Sequence, residues 1–288
     1  GAFSVVGQRT PDALLVVGDT YTVPLFALAA RRHGVPVVHL EAGLRSFNPT
    51  SMEEVDRRVA AALAVLHLAP TPLAARFLLD EGVDGDGIRV VGNPVLDVLR
   101  LRGIGRRDPA ARAGVLVTAH RAGTVDDPEC LERLITLVHG LADAVGPVEF
   151  PVHPRTRDRL EAVGGLGRLE HPRVTVRPPL PYDAMLERLA AACVVVTDSG
   201  GLQEEAAWLG VPVVVLRRST PRWEGVADGT STLVGLDPDR AVVAAAAFAR
   251  PDAQEFVAGV PCPYGDGHTS ERVVRLLADP GVVARLAP

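Results

Sequence analysis

The chain has 288 residues, 47% of them hydrophobic and 23% charged, enough to bury the core of one large domain or of two moderate ones. Its formal net charge is −5, and all 30 Lys-or-Arg positions are arginine. A nucleic-acid footprint is therefore not expected, a P-loop or Schiff-base lysine is absent from these residues, and any anion must be met by Arg, His or backbone N–H groups.

In chain order, Ala13 to Thr20 is an apolar strand ending in Gly18-Asp19, followed by a helical run from Pro24 to Arg32 that Gly34 closes. Val35 to Leu40 is the next strand, with His39 read as a core residue, and it ends in Glu41-Ala42-Gly43. A loop leads to a helix from Glu53-Glu54 to about Leu63, whose two carboxylates suit the helix dipole. Strand 65–69, helix 72–81 and strand 88–94 complete a first half of repeated βα units. From Leu101 to Gly114 the pattern dissolves into Gly, Arg, Pro and Ala, which reads as a linker. The second half restarts with strand 114–119, ending in His120-Arg121, then a helix from about Pro128 to Ala144 and a strand at 148–150 before His153. Strand 174–176 and a helix from Asp183 to Ala192 lead to the stretch from Cys193 to Glu205.

That stretch is the most informative. An apolar strand breaks at Asp198-Ser199-Gly200-Gly201, and Leu202, Ala206 and Leu209 then recur at helical spacing before Gly210 and a second buried strand, 211–216. In such a βαβ unit the turn lies at a helix N-terminus, where free N–H groups and the dipole favour a phosphate and the missing Cβ atoms let it approach. Glu205, one turn in, is placed for ribose hydroxyls; the other reading is a tight βα turn and nothing more. A short strand at 232–234, a helix from Arg240 to about Phe248, and a closing helix from about Ser270 to Leu286 finish the chain. The cysteines, Cys130, Cys193 and Cys262, are scattered without metal-ligand spacing, so neither disulfides nor zinc is expected. Asp19, Glu41, His120, His153 and Asp198-Ser199 all fall at the carboxyl ends of strands, the edge where open α/β sheets bind ligands. No apolar run approaches the ~20 residues of a membrane span and no signal-peptide layout opens the chain, so a cytoplasmic location without a membrane partner is expected.

Six stretches carry a resemblance. Val17 to Thr20, His39 to Phe47, Glu53 to Arg57, Val117 to Arg121, Thr197 to Glu205 and Pro263 to Gly267 resemble, in that order, motifs of the UDP-N-acetylglucosamine 2-epimerase family. The resemblance implies an α/β fold of two Rossmann-like domains facing across a cleft, as in GT-B glycosyltransferases. The expected division is 1–105, with the closing helix 271–288 packed back on it, and 106–270. It implies a homodimer acting on a UDP-sugar with no metal or redox cofactor. Asp19, Glu41 and Glu53 are then acid/base candidates, and His120, with Arg121, faces the diphosphate. Ser199, Gly200 and Gly201 hold its oxygens, Glu205 holds the ribose, and Arg222 adds positive charge. The implied reaction interconverts UDP-N-acetylglucosamine and UDP-N-acetylmannosamine through a glycal. A hydrolysing variant that releases free sugar, a glycosyltransferase on the same fold and an inactive nucleotide-sugar-binding paralogue stand as alternatives. The family's first strand and its Gly-Thr-Arg-Pro-Glu loop have no counterpart ahead of Asp19, so an incomplete first domain is expected. Ala122-Gly123-Thr124, Met52 and Asp56 also depart from the family pattern.

Overall fold

The computed structural model describes residues 1–9 and 11–286. It forms two compact units, Gly1–Val98 with the chain from Tyr264 on, and Leu99–Pro263. Each is built around a wholly parallel sheet, the Rossmann-like α/β class expected. No helix among the described residues is long and apolar enough to cross a membrane.

The first unit runs α1 (Ala2–Arg9), β1 (Leu14–Val17), α2 (Thr22–Arg32), β2 (Val37–Leu40), α3 (Met52–Leu63), β3 (Leu66–Ala69), α4 (Pro72–Asp80) and β4 (Ile88–Val90), and enters α5 (Pro94–Leu101). Its strands lie in the order β1-β2-β3-β4. The inner strands β2 and β3 are buried along their whole length, which is why their sequences are apolar without alternation. The outer strand β1 buries Val16 and exposes Leu15 and Val17. Val6 of α1 and Val23 and Ala27 of α2 close one face against Val16 and Val37. Neither α1 nor α5 was expected from the sequence.

The second unit contains β5 (Val115–Thr118), α6 (Ala122–Val125), α7 (Pro128–Ala144), β6 (Val148–Pro151), α8 (Pro154–Ala162), β7 (Val174–Arg177), α9 (Tyr182–Ala191), β8 (Val194–Thr197), α10 (Gly201–Leu209), β9 (Val213–Val215), α11 (Trp223–Ala227), β10 (Ser231–Leu233), α12 (Pro238–Phe248) and α13 (Pro251–Gly259). The sheet order is β10-β9-β8-β5-β6-β7, which is 3-2-1-4-5-6 when read from the other edge in the unit's own count. The chain therefore leaves β5 in one direction and returns to β8 on its other side, so a crevice opens at the carboxyl ends of these two neighbours. α7 packs Leu131, Leu134, Val138 and Leu141 on the sheet, and Asp127 caps its start by accepting from the N–H of Glu129 at 2.7 Å.

The stretch 101–114, expected as a linker, is fastened to the second unit. The Arg106 guanidinium donates to the carbonyls of Trp208 at 2.9 Å and Val260 at 3.0 Å, and to that of Ala258. Arg112 donates to those of Leu209, at 2.9 Å, and Gly210. These carbonyls end α10 and α13, so two arginines satisfy acceptors that helix geometry leaves open. The closing helix is also corrected. It is two helices, α14 (Thr269–Leu277) and α15 (Pro280–Leu286). Pro280 cannot continue the first, and Asp279 caps the second by accepting from the N–H of Gly281 at 2.8 Å. Val273, Val282 and Leu286 of this pair cover Val38, Leu40, Leu66 and Leu68, the second face of the first sheet. Asp97 in α5 holds α14 in place by accepting from the N–H groups of Thr269 and Ser270, at 2.9 and 2.6 Å.

Candidate active site

In the second unit the β5 and β8 ends are tied together first at Thr118 and Thr197, opposite each other in register with hydroxyls 2.6 Å apart. One step further on, the fully buried Asp198 accepts from the backbone N–H of His120, at 3.0 and 3.2 Å, and of Arg121, at 2.8 Å. Its Oδ1 lies 3.3 Å from His120 Nδ1, and its own carbonyl accepts from Arg121 Nε at 3.1 Å. Asp198 thus fixes both residues of the His-Arg pair, their backbone and their side chains. Burial lowers the His120 pKa, with Asp198 opposing and the neighbouring His153 ring, 5.3 Å away between centroids, adding to the fall. His153 itself caps α8, its Nδ1 accepting from the N–H of Arg155 at 3.2 Å.

Across the crevice, Ser199, Gly200 and Gly201 open α10. Gly200 stands at the N-cap with no side chain to satisfy the first N–H groups. A Cβ on Gly201 would meet nothing within 4 Å, whereas one on Gly200 would lie 3.0 Å from Arg222 Nη1. The Arg222 guanidinium therefore covers the turn from one side and leaves it open on the other. It is held by Glu204, whose Oε1 accepts from Arg222 Nε at 2.9 Å with both side chains buried. Gln203 braces the same turn, donating to the Ser199 carbonyl at 2.9 Å and accepting from Thr220 at 2.8 Å. Glu205, buried beside them on α10, accepts from the Tyr182 hydroxyl at 2.7 Å. Burial raises its pKa, Tyr182 lowers it and Glu204 raises it. This edge joins N–H donors, two guanidiniums, an imidazole and a buried carboxylate, the donor and acceptor set a nucleoside diphosphate requires.

The first unit gathers carboxylates. Asp19, just beyond β1, is paired with Arg57 of α3, and Arg57 also lies 3.4 Å from Glu54 Oε2. Glu41 follows β2 directly in the left-handed region, at φ 65°, and its Oε2 is 3.8 Å from the place of a Gly18 Cβ, next to Asp19. Gly43 makes this sharp exit possible, since a Cβ there would stand 2.2 Å from the Ala74 carbonyl oxygen. Glu53 accepts from the Ser51 hydroxyl at 2.6 Å. Glu54 belongs to the framework, accepting from the N–H and hydroxyl of Ser46 at 2.7 and 3.0 Å. Burial raises the Asp56 pKa, the charges of Asp19 and Glu53 add to the rise, and Arg57 opposes it.

His39 donates from Nε2 to the Gly18 carbonyl at 2.9 Å and so anchors the turn that carries Asp19, while its Nδ1 is buried without a partner. His67, its register partner on β3, also has an unpartnered buried Nδ1. Burial lowers both pKa values to about 4, with Arg45 adding to the fall in each. In the unfolded chain each titrates near its ordinary 6.5, so acidification from there to about 4 puts protons on the unfolded form alone. Stability is full above that window and falls within it, by up to roughly 3 kcal/mol per ring. Melting temperature should drop steadily between pH 6.5 and 4.5, and a folded His67→Gln variant should show a shallower drop. Equal slopes in the two proteins would remove His67 from the account.

The structure brings His120, Arg121, Ser199, Gly200, Gly201 and Arg222 to one edge of the second sheet with Glu205 on the same helix, and Asp19, Glu41 and Glu53 to one edge of the first. Sequence reasoning missed Asp198 as the anchor of His120, Tyr182 as the partner of Glu205, and Asp56 and Arg57 as members of the carboxylate group. Asp198 carried a signal in its place at a strand end, and Asp56 and Arg57 in the family-like stretch Glu53 to Arg57; Tyr182 carried none. Among the described residues no group of three or more His, Cys, Asp or Glu is arranged to hold a metal ion.

Comparison with known proteins agrees with this arrangement. The model of the family described as UDP-N-acetylglucosamine 2-epimerase matches residues 1–278. A probable UDP-N-acetylglucosamine 2-epimerase of Ralstonia solanacearum is 39% identical over 297 aligned positions, covering 96% of this chain and 78% of that protein. A UDP-2,3-diacetamido-2,3-dideoxy-D-glucuronate 2-epimerase of Pseudomonas aeruginosa is 34% identical, covering 95% of this chain and 77% of its own. The crystal structure of Methanocaldococcus jannaschii UDP-GlcNAc 2-epimerase in complex with UDP-GlcNAc and UDP superposes with a TM-score of 0.82 at 32% identity, covering 96% of this chain and 78% of that one. With the family model matched across both sheets and such identity sustained along nearly the whole chain, this protein belongs to the UDP-N-acetylglucosamine 2-epimerase family.

Proposed function

We propose that the protein interconverts UDP-N-acetylglucosamine and UDP-N-acetylmannosamine without releasing free sugar. The observation that supports the epimerase chemistry is the placement of carboxylates on the first unit, Asp19 and Glu41 at the ends of the neighbouring strands β1 and β2 and Glu53 at the start of α3, because moving a weakly acidic C2 proton requires bases and acids that a simple sugar transfer does not.

In the forward step a carboxylate from Asp19, Glu41 or Glu53 takes the proton from C2. The C1–O bond breaks, its electron pair leaves with UDP, and a C1=C2 double bond remains in the glycal. The second unit makes UDP a good leaving group. N–H groups at Ser199 to Gly201, the Arg222 and Arg121 guanidiniums and the His120 imidazole meet the negative charge as it grows on the diphosphate. Glu205 holds the ribose. Return of UDP to C1 and of a proton to the opposite face of C2 completes the epimerisation.

The test is nuclear magnetic resonance of the protein with UDP-N-acetylglucosamine. The expected result is a growing anomeric signal of UDP-N-acetylmannosamine with no accumulation of UDP. Free N-acetylmannosamine appearing in equal amount with UDP would replace this reading with the hydrolysing one. Turnover of UDP-2,3-diacetamido-2,3-dideoxy-D-glucuronate alone would move the substrate, and bound UDP-sugar without turnover would leave a binding protein.

A further inference from the structure

We infer that Tyr182 is a positioning residue that aims the Glu205 carboxylate at the ribose and thereby sets the preference for a ribonucleoside over a deoxyribonucleoside diphosphate. The inference rests on the reading of Glu205 as the ribose ligand.

The geometry is specific. Glu205 is 7% exposed and its Oε1 accepts from the Tyr182 hydroxyl at 2.7 Å, while its Oε2 has no hydrogen-bond partner among the described residues. A buried carboxylate with one oxygen held and the other open is poised to accept from a hydroxyl that arrives with a ligand. Tyr182, 40% exposed, is braced from its backbone and from its outer face. It opens α9 directly after Pro178-Pro179-Leu180-Pro181, which restricts the backbone that delivers it. The Arg102 guanidinium lies over its ring at 5.9 Å from the centroid and is bound in turn by the Asp183 carboxylate. The ring is thus clamped from outside and its hydroxyl directed inward.

Electrostatics gives the contact a consequence beyond packing. Burial and the adjacent Glu204 favour the neutral form of Glu205, and the Tyr182 hydrogen bond opposes both. Glu204 is occupied with Arg222, and Arg102 with Asp183, so the phenol hydroxyl is the group that directly contacts and favours the ionised carboxylate. A ribose hydroxyl donates to the ionised form. Without the phenol, the carboxylate both rotates more freely and takes up its proton at a higher pH.

The test is calorimetry of UDP and of 2′-deoxyuridine diphosphate against the whole chain and three variants whose folding is checked by thermal melting. The unmodified protein should prefer UDP, and Glu205→Gln should largely abolish the preference. Tyr182→Phe should weaken UDP on the order of tenfold, the scale of one hydrogen bond to a charged group, and weaken the deoxy ligand much less. It should also move the acid loss of UDP affinity to higher pH. Arg102→Gln, which unclamps the ring but keeps the hydroxyl, should weaken UDP by roughly two- to fivefold in the same selective way. If Glu205→Gln abolishes the preference while Tyr182→Phe and Arg102→Gln leave both the preference and the pH profile unchanged, the positioning role is refuted and the ribose reading stands. If Glu205→Gln leaves the preference intact, the ribose reading fails and this inference falls with it.

Discussion

In heavy water, UDP-N-acetylglucosamine turned over by this protein should acquire deuterium at C2 of the product, and Asp19→Asn, Glu41→Gln or Glu53→Gln should each slow that exchange by about 10²–10⁴-fold, the scale of a general acid or base. UDP should still bind, because the ligands proposed for it belong to the other unit. The three replacements are not equivalent structurally. Asp19 is paired with Arg57, so its neutralisation also releases a guanidinium onto Glu54. Glu41 stands at positive φ, a strain that lies in the backbone and that Gln leaves unchanged. Glu53 gives up the bond it accepts from the Ser51 hydroxyl. A purely structural role for these carboxylates predicts altered melting with exchange intact, so a folded Asp19→Asn/Glu41→Gln variant that exchanges at the normal rate would decide against the chemistry proposed.

Gly201→Val should abolish UDP binding at concentrations that saturate the unmodified protein, a loss on the order of 100-fold, while leaving the fold in place. The position has an ordinary φ, and a Cβ there meets no protein atom within 4 Å, so a branched side chain can be carried at the turn and would obstruct the approach of a phosphate to the N–H groups. Gly201 is half-buried at the start of the helix, and Val is no worse a helix former there than Gly. Gly200→Val should weaken UDP for a second reason, since its Cβ would lie 3.0 Å from Arg222 Nη1 and push the guanidinium from its bond with Glu204. Calorimetry separates the two: high salt should narrow the gap between Gly200→Val and the unmodified protein more than the gap for Gly201→Val, because part of the former is a displaced charge. Unchanged affinity in a folded Gly201→Val protein would remove the turn from the phosphate site.

The central strands and the polar residues at their carboxyl ends were legible in the sequence because parallel strands buried on both faces leave unbroken apolar runs, and the run must end where the chain meets water. The order of the strands was not legible. That His120 and Ser199 share one crevice follows from β5 and β8 being neighbours, a pairing between segments nearly eighty residues apart. Helices failed to show where their buried stripe is thin. α8 buries only Thr156 and Leu160, and α13 only Gln254 and Val257, so neither presents apolar periodicity. Their starts, Pro154 and Pro251, were present in the sequence and have the same first-turn role as Pro72 and Pro128, which were read correctly as helix starts. The stretch 101–114 misled for another reason. Arg106 and Arg112 act on carbonyls about a hundred residues away, and backbone acceptors leave no mark on composition.

The return of α14 and α15 to the first sheet has a consequence for how the protein is made. Val38, Leu40, Leu66 and Leu68 emerge early from the ribosome, but their cover, Val273, Val282 and Leu286, is translated about two hundred residues later. At ~5–20 residues per second the nascent first sheet keeps one apolar face bare for on the order of ten seconds or more, while the second unit, contiguous in the chain, already has everything it needs to fold. A released chain truncated after Pro263 should therefore contain a protease-resistant second unit joined to a first unit whose sheet exposes this apolar face to proteases and chaperones.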